Sequence, residues 1–100
     1  MKLDKNPANP ILRPEPRNAW ENLVVCNPGV IHDNGAFHML YRAAGDDADH
    51  VIRFGYATSK DGVHFERQSD LPNLSPSEDG PDAGCIEDPR IAKLDGHFYV

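Results

Sequence analysis

The residues best suited to chemistry are two polar side chains that each stand directly before a proline. Asn27 begins the segment Asn-Pro-Gly-Val, and Asp88 begins the segment Asp-Pro-Arg-Ile. An amide donates and accepts hydrogen bonds, and a carboxyl group can also exchange a proton, which is the basis of general acid catalysis. Because Asn and Asp are common in plain turns, a turn-forming role stands beside the chemical one at both positions.

These two segments lie in an internal repeat with an offset of 88 minus 27, or 61 residues. A repeat of that length, made of four strands and a loop, is typical of the blades of a β-propeller. The first strand of each blade lines the central channel, so we expect Asn27 and Asp88 to be neighbours at one mouth of it, where they would suit a sugar. The matched positions, in one ungapped register, are residues 27–30 with 88–91, 34–35 with 95–96, and 37 with 98.

Four β-strands are predicted between the two polar positions. Their signals are runs of apolar, β-branched and aromatic residues, separated by turn-forming pairs such as Asn-Gly and Asp-Gly. Four such strands in sequence form an antiparallel β-meander. The predicted strands are residues 24–31, 36–43, 51–58 and 63–67.

The segments outside these strands are rich in proline or polar residues. Prolines in residues 6–22 remove backbone donors, which predicts an extended arm, and residues 68–84 read as a long loop. No window has helical spacing, so the fold is expected to be all-β. We expect the chain to be the N-terminal part of a single propeller domain. It divides into an arm at 1–22, a first blade at 23–67, the loop at 68–84 and the start of a second blade at 85–100.

Composition argues against several classes of partner. The formal net charge is -6 and there is no cluster of Lys or Arg, so neither nucleic acid nor an anionic membrane is expected. There is no apolar leader and no run of membrane-spanning length, which predicts a soluble, cytoplasmic protein.

No metal site is expected. Cys26 and Cys85 lack the paired spacing of a zinc site and are predicted to be buried free thiols. The five histidines are scattered, with no pair at ligand spacing on one element. The acidic residues of the 46–49 segment lack the Gly and the closing Glu of a calcium loop, so they are predicted to be solvated.

Five segments, in this order, resemble the mannoside phosphorylases of glycoside hydrolase family 130. Each motif alone is weak, but together they extend over essentially the whole chain and would cover about the first third of such an enzyme. They are Asn-Pro-Ile-Leu at 9–12, Asn-Pro-Gly-Val at 27–30, Leu-Tyr-Arg-Ala at 40–43, Gly-Tyr-Ala-Thr-Ser-Lys-Asp-Gly at 55–62, and Glu-Asp-Pro-Arg-Ile at 87–91.

The resemblance implies a five-bladed β-propeller that cleaves β-mannosides by attack of inorganic phosphate, with inversion, to give α-mannose 1-phosphate. Its general acid would be Asp88, which would protonate the leaving oxygen through a hydroxyl of the bound mannose. Asn27, Arg42 and Arg53 fall where the family places side chains that contact the sugar or the anion. The family's main phosphate-binding residues would lie beyond residue 100.

A single protein carboxylate agrees with this chemistry, because phosphate is already an anionic nucleophile and needs no base to activate it. The implied enzyme is a glycosyltransferase-type phosphorylase of carbohydrate metabolism, with phosphate as cosubstrate and no bound cofactor. Its partners would be a β-mannoside oligosaccharide and phosphate, and the sequence leaves a homo-oligomer open. Two alternatives also stay open: a β-mannoside hydrolase on the same propeller, and a propeller that binds glycans without cleaving them.

Several site candidates have plainer interpretations. Glu87 is either a substrate ligand or a solvated acid at a strand end, and Arg90 either contacts substrate or pairs with a nearby acid. Arg42 ends an apolar strand, where an exposed Arg is ordinary. Trp20 is interpreted as a packing residue that pins the arm, in preference to a platform for sugar stacking.

Overall fold

The computed structural model describes residues 1–47 and 49–100, and these contain six β-strands and no helix. The first four strands form one antiparallel sheet in the order of the sequence, and the last two form a separate hairpin. The described residues are thus all-β, as the sequence predicted. The strands are β1 (Val24–Asp33), β2 (Ala36–Ala44), β3 (Arg53–Ser59), β4 (Glu66–Arg67), β5 (Ala92–Leu94) and β6 (His97–Tyr99).

Two hairpins of the same geometry confirm the internal repeat. The β1–β2 turn has φ 50° at Asn34 and 77° at Gly35, and the β5–β6 turn has φ 50° at Asp95 and 77° at Gly96. Positive φ at both central residues matches the twist of the flanking strands, and Asn, Asp and Gly tolerate it best. The local sequence therefore determines both turns.

The predicted fourth strand is too long. The sequence suggested residues 63–67, but only Glu66–Arg67 pair with β3. The reason is a side-chain turn in which Asp61 Oδ1 accepts hydrogen bonds from the backbone N–H groups of Val63 and His64, at 2.9 and 2.8 Å. Those N–H groups are bound locally, so the alternation of residues 63–65 does not become a ladder.

The arm packs on one face of the first sheet. Alternate residues of a strand point to opposite faces, and on this face of β2 Met39, Tyr41 and Ala43 are buried. Trp20 of the arm stacks on Tyr41, and its indole Nε1–H donates to the carbonyl of Asp70 at 2.8 Å. This confirms Trp20 as a packing residue. The buried cluster comprises Trp20, Met39, Tyr41, Ala43 and Ala57, with Ile11 and Leu12 of the arm packed against it.

A buried acid fastens the arm to the sheet. Glu21 has no exposed surface, and its carboxylate accepts hydrogen bonds from Asn18 Nδ2 at 2.8 Å and the Tyr41 hydroxyl at 2.9 Å. Arg67 of β4 supplies the opposite charge, with Nε 2.9 and 3.1 Å from the two carboxylate oxygens. Arg67 also lies over the Tyr41 ring, 5.6 Å from its centroid. Burial and the hydrogen bond to Glu21 raise the pKa of Tyr41.

The two cysteines are free, as predicted, but they are not both buried. Cys26 is half-buried in β1, whereas Cys85 is exposed. Cys85 belongs to the irregular segment that precedes β5, where no sheet face covers it, so its predicted burial is wrong. Across the described ranges, no helix has the length and apolar character needed to cross a bilayer.

Candidate active site

The first site residue is placed by a β-bulge in β1. Cys26 pairs with Arg42 of β2, but the next pair joins Gly29 to Leu40, so β1 uses one more residue than its partner over this stretch. Asn27 lies in the bulge with φ 44°. Bulges bend a strand and re-aim a side chain, and Asn is among the few residues that accept a left-handed backbone. The bulge thus turns the Asn27 amide out of the regular ladder.

Asp88 has the same backbone conformation, with φ 51°. Its carboxylate Oδ1 accepts a hydrogen bond from Asn27 Nδ2 at 2.8 Å, so the two polar positions of the repeat are neighbours, as expected. Close approach of the two segments requires a glycine, because a Cβ on Gly29 would lie 2.6 Å from the carbonyl oxygen of Pro89. A non-glycine residue with positive φ at both positions marks them as candidate functional sites.

Arg42 joins this pair from the adjacent strand. Its Nη1 donates to Asp88 Oδ1 at 3.2 Å and forms an ion pair with Glu87, 2.9 Å from Oε2. The cluster therefore contains one cation, two carboxylates and one amide, contributed by β1, β2 and the segment before β5. Sequence analysis named all four residues, but it did not foresee that one nitrogen of Arg42 serves both acids.

The cluster favours the ionised form of Asp88. The hydrogen bond from Asn27, then that from Arg42, and the positive charges of Arg42 and Arg90 lower the pKa of the Asp88 carboxyl group. In turn, the hydrogen bond to Asp88 and the charge of Glu87 raise the pKa of Arg42. Both donors bind Oδ1, and no hydrogen bond from the described part of the chain reaches Oδ2.

An open cleft of about 470 Å³ adjoins Asp88, whose side chain is 48% exposed. Arg90 also lines this cleft, although its Nη1 donates to backbone carbonyls, 3.0 Å from that of Pro89 and 3.3 Å from that of Asp88. The remaining lining residues are Asn27, Pro28, Gly29, Val30 and Ile91. The geometry leaves the free oxygen of Asp88 accessible to a ligand.

Arg53 lies apart from this cluster. It pairs in register with Ala43, one residue along β2 from Arg42, so its side chain leaves the sheet on the opposite face. There it forms an ion pair with Asp47 and donates to the carbonyl of Val51 at 3.3 Å. The structure does not bring Arg53 to Asp88, and a contact with substrate stays a prediction for it.

A larger cleft lies elsewhere. It has about 560 Å³ and lies between the first sheet and the β5–β6 hairpin, lined mostly by apolar side chains such as Leu40, Ile91 and Phe98. Size alone does not identify a site, and this groove holds none of the predicted site residues. The smaller cleft beside Asp88 is the one that the predicted site residues Asn27, Asp88 and Arg90 line. Within residues 1–47 and 49–100, no group of three or more His, Cys, Asp or Glu side chains could hold a metal.

Comparison with known proteins gives consistent matches. A family model described as β-1,4-mannooligosaccharide phosphorylase, of glycoside hydrolase family 130, matches residues 2–100. Two curated proteins of Thermoanaerobacter sp. (strain X514) match the whole chain. A 1,2-β-oligomannan phosphorylase is 42% identical with 35% of its own length covered, and a β-1,2-mannobiose phosphorylase is 36% identical with 36% covered.

A solved structure gives the same result at the level of the fold. It superposes with a TM-score of 0.78 at 33% identity, over 91% of this chain and 30% of the other. It comes from work reporting that the GH130 family of mannoside phosphorylases contains glycoside hydrolases that target β-1,2 mannosidic linkages in Candida mannan. The chain spans about a third of the length of the relatives it matches.

Proposed function

This chain belongs to glycoside hydrolase family 130, and on that premise we propose that the complete enzyme transfers a mannosyl group from a β-mannoside to inorganic phosphate. The products are α-mannose 1-phosphate and a shortened sugar. The reaction is a glycosyl transfer with phosphate as cosubstrate and without a bound cofactor. The observation that carries the proposal is the Asp88 carboxylate, held by Asn27 and Arg42 at an open cleft.

Asp88 is the proposed proton donor. Two donors anchor Oδ1, so the proton belongs on Oδ2, the oxygen left without a partner by the described residues. A phosphate oxygen attacks the anomeric carbon from the face opposite the leaving sugar, and the glycosidic C–O bond breaks. The departing oxygen takes a proton from a mannose hydroxyl, and Asp88 replaces it. Attack from that face converts the β-linkage to the α-phosphate.

An acid with a lowered pKa is mostly ionised at neutral pH, so the pKa of Asp88 must rise before it can donate a proton. Binding of phosphate and sugar raises this pKa, since a nearby negative charge and loss of water both favour a neutral carboxyl group. Arg42 contributes if it turns towards the bound anion, because its hydrogen bond to Asp88 then weakens. In this proposal the ion pair between Arg42 and Asp88 loosens when substrate and phosphate bind.

We also propose that the complete enzyme forms a five-bladed propeller and that its preferred linkage is β-1,2. Support for the blades comes from the offset of 61 residues between Asn27 and Asp88 and from the matching hairpin turns. Support for the linkage comes from the names of the two curated relatives, a 1,2-β-oligomannan phosphorylase and a β-1,2-mannobiose phosphorylase. The description of the family model names the β-1,4 linkage instead, but these two relatives are individual proteins matched over the whole chain.

The test is product analysis with the complete enzyme. Incubation of β-1,2- and β-1,4-mannobiose with phosphate should release mannose 1-phosphate, faster from the β-1,2 substrate. Asp88→Asn should lower kcat by about 10² to 10⁴-fold, because the amide cannot donate the transferred proton. Unchanged turnover in Asp88→Asn would exclude this carboxylate as the acid.

Hydrolysis is the second candidate, favoured by the structurally similar protein from the work on hydrolases of β-1,2 mannosidic linkages. Water would then replace phosphate as the nucleophile, and a further carboxylate would have to activate it as a base. Release of free mannose at the same rate with and without phosphate would establish the hydrolase. No cleavage of either mannobiose would favour a glycan-binding propeller.

A further inference from the structure

Glu87 and Asp88 bind the same nitrogen of Arg42. Nη1 lies 2.9 Å from Glu87 Oε2 and 3.2 Å from Asp88 Oδ1, so Glu87 holds the shorter contact. Arg42 comes from the first sheet, whereas both acids precede β5. The side chain of Arg42 is 25% exposed and that of Glu87 is 45% exposed. The cation is thus shared between a candidate acid and a second carboxylate that faces solvent.

The internal repeat has a first unit, which contains Asn27, and a second unit, which contains Asp88. Glu87 is found only in the second unit, because its equivalent in the first unit is residue 87 minus 61, which is Cys26. Cys26 is the cross-strand partner of Arg42, but a thiol is only a weak hydrogen-bond acceptor. Arg42 therefore lies between two equivalent positions, and only the one occupied by Glu87 offers a strong acceptor.

We propose that Glu87 is a positioning residue whose carboxylate holds the Arg42 guanidinium and limits how much of its charge acts on Asp88. Glu87 would then act through Arg42 and not by touching the sugar. The proposal rests on the proposed role of Asp88 as proton donor, and it explains how one Arg can stay beside an acid that must be protonated for catalysis.

The charged and polar groups around Asp88 give the direction of the effect. Arg42 faces it from β2, Asn27 from β1, and Glu87 and Arg90 from its own segment. Removing the charge of Glu87 leaves Arg42 with Asp88 as its only carboxylate in the cluster, and it removes a like charge beside Asp88. Both changes favour the carboxylate and lower the pKa of Asp88 further.

The test is the pH dependence of kcat for the complete enzyme and its Glu87→Gln and Glu87→Asp variants. A general acid must be protonated, so kcat falls as pH rises through the pKa of that acid in the enzyme–substrate complex. In Glu87→Gln this alkaline limb should move to lower pH by about half a unit, the size expected for a partly exposed ion pair. Glu87→Asp, which keeps the charge, should restore most of the original position. Glu87→Ser gives the same expectation as Gln should the amide variant fold poorly.

Three outcomes would overturn the proposal. A limb that stays in place while KM for the mannoside rises at every pH would mean that Glu87 contacts the sugar. A uniform fall in kcat with no movement of the limb would mean a purely structural role, and no change at all would mean a solvated acid. The failure of the proposed function is recognised separately, because the unmodified enzyme would then release no mannose 1-phosphate.

Discussion

At the scale of single residues, the site depends on a backbone conformation as much as on side chains. Asn27 and Asp88 both have positive φ and both precede proline, so the repeat preserves the geometry while the functional group changes from amide to carboxyl. The amide is the stronger of the two hydrogen-bonding influences that lower the pKa of Asp88, ahead of Arg42. Asn27 should therefore affect proton transfer as well as binding.

Asn27→Gly tests that role without straining the backbone, since glycine accepts positive φ freely. Loss of the 2.8 Å hydrogen bond should let the pKa of Asp88 rise towards its ordinary value. The alkaline limb of the pH profile of kcat should then move to higher pH, opposite to the shift expected for Glu87→Gln. The measurement is a pH profile of mannose 1-phosphate release by the complete enzyme.

Asn34→Gly is the matched control for this variant. Asn34 has φ 50°, close to the 44° of Asn27, but it lies in the β1–β2 turn, at the other end of the two strands that carry Asn27 and Arg42. The Asn34→Gly variant removes the same side chain from the same backbone conformation, and it should leave the alkaline limb of the pH profile in place. A limb that does not move in Asn27→Gly, or moves equally in both variants, would contradict the assignment of the amide.

At the scale of elements, the arm and the sheet are joined by a buried charge whose partners are distant in sequence. Glu21 and Arg67 are separated by 46 residues, and Tyr41 reaches the same carboxylate from β2. Glu21→Gln should destabilise the complete protein by about 2 to 4 kcal/mol, because Arg67 loses its countercharge and an amide must donate where the carboxylate only accepted. Unfolding in denaturant measures the change.

Glu66→Gln provides the control, since Glu66 is the neighbour of Arg67 in β4 but is exposed. Exposed substitutions of this kind change stability by less than about 0.5 kcal/mol. Equal effects of the two variants would show that the Glu21 network does not hold the arm. Tyr41→Phe should lower the free energy of unfolding by an amount between those of the two Glu variants, because it removes one hydrogen bond and leaves the ion pair of Arg67 with Glu21 intact.

The elements also show which features the sequence could predict. Turn residues act locally, so the hairpin at 34–35 was predicted and confirmed, and its repeat counterpart at 95–96 has the same backbone conformation. The repeat predicted the Asn27 and Asp88 contact, because equivalent positions converge in space. Strand periodicity does not reveal which residues a long side chain contacts. The sequence analysis therefore missed the ion pair of Glu21 with Arg67 and the sharing of Arg42 between two acids. It also predicted too long a fourth strand, because Asp61 binds the backbone N–H groups there.

At the scale of the whole molecule, the first sheet is held to the second unit by a narrow set of contacts. Asn27 and Arg42 reach the Asp88 segment, Gly29 lies against Pro89, and Lys93 Nζ forms an ion pair with Asp33 Oδ1 at 2.6 Å. The groove between the units is apolar, and Phe98, Tyr99 and Val100 are exposed. Stability of the site should therefore depend on the rest of the complete protein.

This dependence can be measured by comparing residues 1–100 alone with the complete protein. The separate segment exposes apolar side chains at its second unit and leaves one hairpin without further strands, and an isolated two-stranded hairpin is marginal at best in water. We expect broad, weakly cooperative thermal unfolding by circular dichroism for the segment and a sharp transition for the complete protein. A sharp transition in the segment, with the β5–β6 amides protected from hydrogen exchange, would show that one four-stranded sheet and a hairpin suffice, and the site could then be studied apart from the rest of the protein.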